Sequence, residues 1–116
     1  MIQPVVEKKA LLESVENDVD FLKTVIGVFI TDCPRMLAEI RLAVAARNPT
    51  LVKSAAHALK GSVSFFGATS AVEASRILEF MGREENLDGV DKALGILERE
   101  MALVLSALDE IAMDTA

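Results

Sequence analysis

Aromatic side chains are scarce: the 116 residues hold no Trp, no Tyr and only five Phe. Sandwiches and barrels draw on aromatic and β-branched strands broken by turns, so this scarcity, together with only three Pro, points instead to interdigitated aliphatic helices. A single cysteine, Cys33, excludes an internal disulfide, and its apolar sequence neighbours fit a reducing compartment. One His and one Cys cannot make a zinc site, so no metal and no cofactor are expected on this chain. Twelve Lys and Arg stand against eighteen Asp and Glu, a net charge of -6, which argues against nucleic acid or an anionic membrane as the main partner. No run reaches the roughly 20 apolar residues of a membrane span, because Asp32, Arg35 and Glu39 interrupt the longest candidate. The start, with Glu7, Lys8 and Lys9, is no secretion signal. The expectation is one cytoplasmic domain over residues 1–116, either free-standing or a module of a longer protein.

Hydrophobic periodicity organises what is there. Lys9 to Val15 carries Leu11, Leu12 and Val15 at helical spacing and reads as a short lead-in helix, with Glu16-Asn17-Asp18 supplying turn and cap. From Asp18, the positions Phe21, Leu22, Val25, Ile26, Phe29, Met36, Leu37, Ile40 and Val44 keep a 3.6-residue period as far as Asn48-Pro49. Pro34 interrupts it and predicts a kink near Phe29 to Ile30, in preference to a break into two helices. Thr50 is a candidate N-cap for a third helix to about Phe66, closed by Gly67. Thr69 or Ser70 would cap a fourth, bearing Val72, Ile77, Leu78 and Met81 and terminated by Gly82. The last, about Asp88 to Met113, sets Leu94, Leu97, Met101, Val104, Leu108 and Ile111 at steps of three and four. The fold class expected is all-α, an antiparallel four-helix bundle with a short extra N-terminal helix.

On a wheel of about 100° per residue, Leu51, Ala55, Leu59, Ser62 and Phe66 share an arc of about 80° that should face the core. Lys53, His57, Lys60 and Ser64 then lie opposite, leaving the only histidine exposed between two cations. An exposed imidazole is largely neutral near neutral pH, and a ring-nitrogen lone pair can attack phosphorus. Lys60, one turn on, can balance charge on phosphoryl oxygens, or be a solvated surface lysine. Gly61 weakens a helix by about 0.5–1 kcal/mol relative to Ala and so needs a reason: clearance for a partner, or close helix packing. The carboxylates of Glu84, Glu85, Glu98 and Glu100 read most simply as a solvated face, and Met36, Met81 and Met101 as core or interface filler.

The run His57-Ala58-Leu59-Lys60-Gly61-Ser62, followed by Gly67-Ala68, resembles the signature of the histidine phosphotransfer family of bacterial two-component phosphorelays. The likeness extends from Phe29-Ile30-Thr31-Asp32-Cys33-Pro34 to Leu78-Glu79 and Gly82-Arg83; Phe65-Phe66 stands where the family often has smaller or aliphatic residues. What the resemblance implies is a kinked antiparallel bundle with His57 as phospho-acceptor, Lys60 as charge partner, Gly61 as clearance residue and Gly67 closing the helix. It also implies response-regulator receiver domains and a sensor histidine kinase as partners, the receiver bringing its own aspartate and divalent metal, and a monomeric carrier that is no enzyme. The residues agree on one point: without a glycine-rich loop bearing Lys and Ser/Thr, ATP-dependent autophosphorylation is not expected. A non-catalytic helical adaptor or dimerisation bundle is the alternative, suggested by the seam from Leu94 to Ile111.

Overall fold

The computed structural model describes residues 5–114, and every element among them is helical. α1 spans Lys8–Ser14, α2 Val19–Ala45, α3 Pro49–Phe65, α4 Thr69–Arg83 and α5 Val90–Asp114. α2 packs on α3 and α5, and α4 packs on the same two, so the four long helices close a ring, with α1 laid on α2. Short connections reverse the chain between neighbours and make the bundle antiparallel.

The helix starts follow from local chemistry. Asp18 accepts from the Phe21 amide at 3.0 Å and caps α2. α3 begins two residues earlier than the Thr50 cap suggested: Asn48 accepts from the Leu51 amide at 3.2 Å, and Pro49 takes the first helical position, where its missing N–H costs nothing. At α4 the expected Thr69 or Ser70 cap does not form; Ala68 occupies the cap position without a side-chain bond. α2 continues through Pro34 as one helix, with the proline ring on the exposed face.

Helix ends were harder to foresee. Gly67, with φ of 65°, closes α3 as expected. Gly82 does not end α4: it is a buried helical residue, and the left-handed reversal falls on Glu85, with φ of 54°. Arg47 does the same after α2, with φ of 51°, its guanidinium bonding the Val44 carbonyl and pairing with Asp91 of α5 at 2.6 Å. α5 starts at Val90, two residues after the expected Asp88.

The core is aliphatic. Leu22, Ile26, Ile40, Leu59, Leu78, Leu97, Met101 and Leu108 are essentially inaccessible, each contributing on the order of 1.5–3 kcal/mol of burial. Leu97, Met101, Val104, Leu108 and Ile111 form the expected stripe of α5, and Leu94 packs at its margin. Phe66 enters the core 5.0 Å from Phe29, whereas Phe65 remains exposed. Met36 is core like Met101, and Met81 packs partly buried against it. Among the carboxylates expected on a solvated face, Glu84 and Glu85 are exposed, while Glu98 ties α5 to Arg41 of α2 at 2.6 Å. No helix among the described residues is long and apolar enough to cross a membrane.

Candidate functional site

The face that α3 turns inward decides what it offers outward. Val52, Ala56, Leu59, Val63 and Phe66 are its buried positions, an arc rotated from the one read on the wheel. Leu59 and Phe66 were placed correctly, but Leu51 is exposed, Ala55 and Ser62 are half-buried, and Val52 and Val63 take the core instead. The rotation leaves Lys53, His57, Gly61 and Ser64 exposed and brings Lys60 to the edge facing α4.

His57 presents 68% of its side-chain surface to solvent, yet it is not free. Its Nδ1 bonds Oε2 of Glu79 on α4. The other oxygen, Oε1, accepts from Nζ of Lys60 at 2.6 Å and lies 3.8 Å from the Arg83 guanidinium. Glu79 itself is only 3% exposed. A carboxylate removed from water is tolerated only when its oxygens are matched, and here α3 supplies both matches. The Lys60 ammonium, more than any other neighbour, holds the Glu79 carboxyl below the usual range around 4.5; the His57 bond acts in the same direction and burial opposes both.

Glu79 is therefore ionised near neutral pH and can only accept. The proton of a neutral His57 ring must then sit on Nδ1, and the lone pair on Nε2. The second cation of the notional exposed pair, Lys60, is not a solvated lysine: its side chain is 26% exposed and tied to Glu79. Lys53, Ser54 and Arg83 border a shallow groove with His57 and Glu79, so a chain of net charge -6 gathers cations around its one histidine.

Gly61 separates its two possible reasons. A Cβ built there would meet nothing within 4 Å, so helix packing does not require this glycine. Packing does require Gly82, whose Cβ would fall 2.5 Å from the Pro49 carbonyl oxygen. Cys33 is buried, which pushes its thiol up, and Phe29 is buried at the floor of a groove bordered by exposed Val28 and Asp32. Among the described residues no group of three His, Cys, Asp or Glu side chains is placed to hold a metal.

The family likeness took in Glu79 but gave it no role, whereas the structure places it against His57 and Lys60. Its signal lay in α4, where Ala71, Ser75, Leu78 and Gly82 mark the buried arc and Glu79 falls among them. A carboxylate on an apolar arc demands a cation from the facing helix.

The described residues thus form a helical bundle that presents one solvent-facing histidine, its Nδ1 held by a buried carboxylate. Residues 24–111, three quarters of the chain, match the Hpt domain family, and the chain belongs to it. Members are phosphocarrier modules of two-component signalling, not kinases. No curated protein and no solved structure gives a significant match.

Proposed function

We propose that this chain accepts a phosphoryl group on Nε2 of His57 from the aspartate of a receiver domain, or from a sensor histidine kinase, and passes it to another receiver. The observation that carries the reading is the pairing of an exposed ring with a buried carboxylate on Nδ1, which directs the free lone pair at Nε2. Lys60 stands one turn away, able to leave Glu79 for incoming phosphoryl oxygens, and open Gly61 gives the partner's backbone room to approach. In phosphoryl transfer the work is positioning and charge neutralisation, and the receiver's divalent metal would add to the neutralisation that Lys60 offers.

The partner's seat in this reading is the outer face of α2 and α3. Val28 and Phe65 are exposed beside a groove of about 320 Å³, and Leu42 and Leu51 beside one of about 590 Å³. Both grooves lie between the two helices on the side where α3 carries Ala58 and Ser62, next to His57 and Gly61.

The test is incubation with a phosphorylated receiver and its metal. Acid-labile, base-stable label on the wild type, and none on His57→Gln with an unchanged melting profile, is expected. Label retained on His57→Gln refutes the acceptor assignment, and an unlabelled wild type leaves the adaptor reading.

A further inference from the structure

We infer that Glu79 is a positioning residue for the return step: it holds a proton on Nδ1 of phosphorylated His57, so that the ring departs as neutral imidazole. The inference rests on His57 being the acceptor and concerns a residue outside the nucleophile, charge partner and clearance glycine.

In the accepting direction the Nε2 lone pair forms the P–N bond, while the bond from phosphorus to the donor oxygen breaks and its pair stays on that oxygen. The ring becomes a phosphorylated imidazolium with its proton still on Nδ1. On return, a receiver carboxylate oxygen forms the new P–O bond as P–Nε2 breaks and its pair goes back to Nε2. With Nδ1 protonated, the group that leaves is neutral imidazole. With Nδ1 bare it is imidazolate, a much poorer leaving group, and transfer stalls.

Whether Nδ1 keeps that proton depends on the charges around it. α3 brings Lys53 and Lys60, and α4 brings Arg76, Arg83 and Glu79. No charged group of α2 or α5 among the described residues pairs with His57 or Glu79. The cations favour loss of the proton and the carboxylate favours its retention. Arg76 is already engaged by Glu73, and Arg83 is 55% exposed, so water and salt weaken both at a distance. Glu79 alone touches Nδ1, from a site 3% exposed where screening is least. Once Lys60 swings to the phosphoryl oxygens, the ring proton becomes the nearest positive charge left to Oε2, and the hold tightens.

The experiment compares the full-length wild type with Glu79→Gln by ¹⁵N NMR of the His57 ring, free and phosphorylated, over a pH series, together with single-turnover transfer to a receiver. The free wild type is expected to carry its proton on Nδ1. Phosphorylated wild type should keep that proton to a pH about one unit higher than Glu79→Gln, which corresponds to about a tenfold larger protonated fraction and transfer rate on the alkaline side. The wild type should carry the label on His57. A proton on Nε2 in the free wild type, or coincident pH profiles for the two proteins, overturns the inference. Should Glu79→Gln fail to fold, Lys60→Met keeps the carboxylate and removes a cation, so its ring must hold the proton to higher pH than wild type; no such rise also overturns it. Coincident profiles with normal labelling sink this inference alone, whereas an unlabelled wild-type His57 sinks the relay reading and this one with it.

Discussion

Gly82 of α4 lies directly against the backbone of Lys53 in α3: a methyl group on its Cα would approach the Lys53 amide nitrogen to 2.6 Å. The obstacles are main-chain atoms, which cannot rotate away, so Ala at this position must push the two helices apart. Overpacking of that kind costs about 1–3 kcal/mol, against about 1 kcal/mol regained in helix propensity. Gly82→Ala should therefore lose up to about 2 kcal/mol in urea unfolding. It should also loosen the His57 to Glu79 contact, since Glu79 lies one turn earlier on the same face. A midpoint at or above wild type would show that the helices separate without cost.

Gly61 should behave in the opposite way. With nothing within 4 Å of its added Cβ, Gly61→Gln should stabilise the fold by about 0.5–1 kcal/mol through helix propensity alone. The same side chain would stand where a partner's backbone comes close, so transfer from a phosphorylated receiver should slow. Faster or equal transfer, measured in single turnover, would remove the clearance role.

Lys60→Met separates two effects that sequence alone merges. On an exposed face the change would be nearly neutral for folding, but Lys60 is the first partner of a buried carboxylate. Because Lys60 is itself 26% exposed, the loss should be moderate, about 1–2 kcal/mol at neutral pH. Glu79 has a depressed folded-state pKa, so its stabilisation is complete above the ordinary carboxylate value of 4.5 and disappears as pH falls through the lower folded value. The gap between wild type and Lys60→Met should accordingly close in acid. Single-turnover transfer should also fall about tenfold, corresponding to about 1.4 kcal/mol in the transition state. A stability gap that stays constant down to the acid limit would mean the ion pair is not its source.

Val28→Gln and Leu42→Gln test the docking face. Both side chains are largely exposed, 62% and 71%, so folding should change by no more than about 0.5 kcal/mol. Each should weaken receiver binding several-fold in a titration, whereas Leu103→Gln on α5, equally apolar and 51% exposed, should not. Equal effects at all three positions would mean that general surface apolarity, not this face, governs association.

Much of this architecture was legible because it rests on periodicity. The α5 stripe, the lead-in helix and the outward position of His57 all follow from 3.6-residue spacing. Helix ends were less legible, because Arg47 and Glu85 adopt left-handed backbone without being glycine, while Gly82, a glycine near a helix end, serves packing. The α3 wheel was misread by about one residue because Val52 and Val63 were passed over in favour of Leu51 and Ser62, and only the facing helices could decide between those arcs. The role of Glu79 was hidden for a similar reason: a wheel of α3 cannot show what α4 places beneath it.

The short reversal at Gly67 has a consequence for how the molecule assembles. His57, Lys60 and Glu79 are at most 22 residues apart, on two helices that pair across that single turn. Contacts so local close small loops, which costs little chain entropy, and pairings of this kind tend to form early. The α3–α4 hairpin is then the natural nucleus, with Leu59 and Leu78 ordered before α5 docks. Substitutions there should slow refolding, while those in the α5 stripe should chiefly speed unfolding, as a chevron analysis of Leu78→Ala and Leu108→Ala would measure.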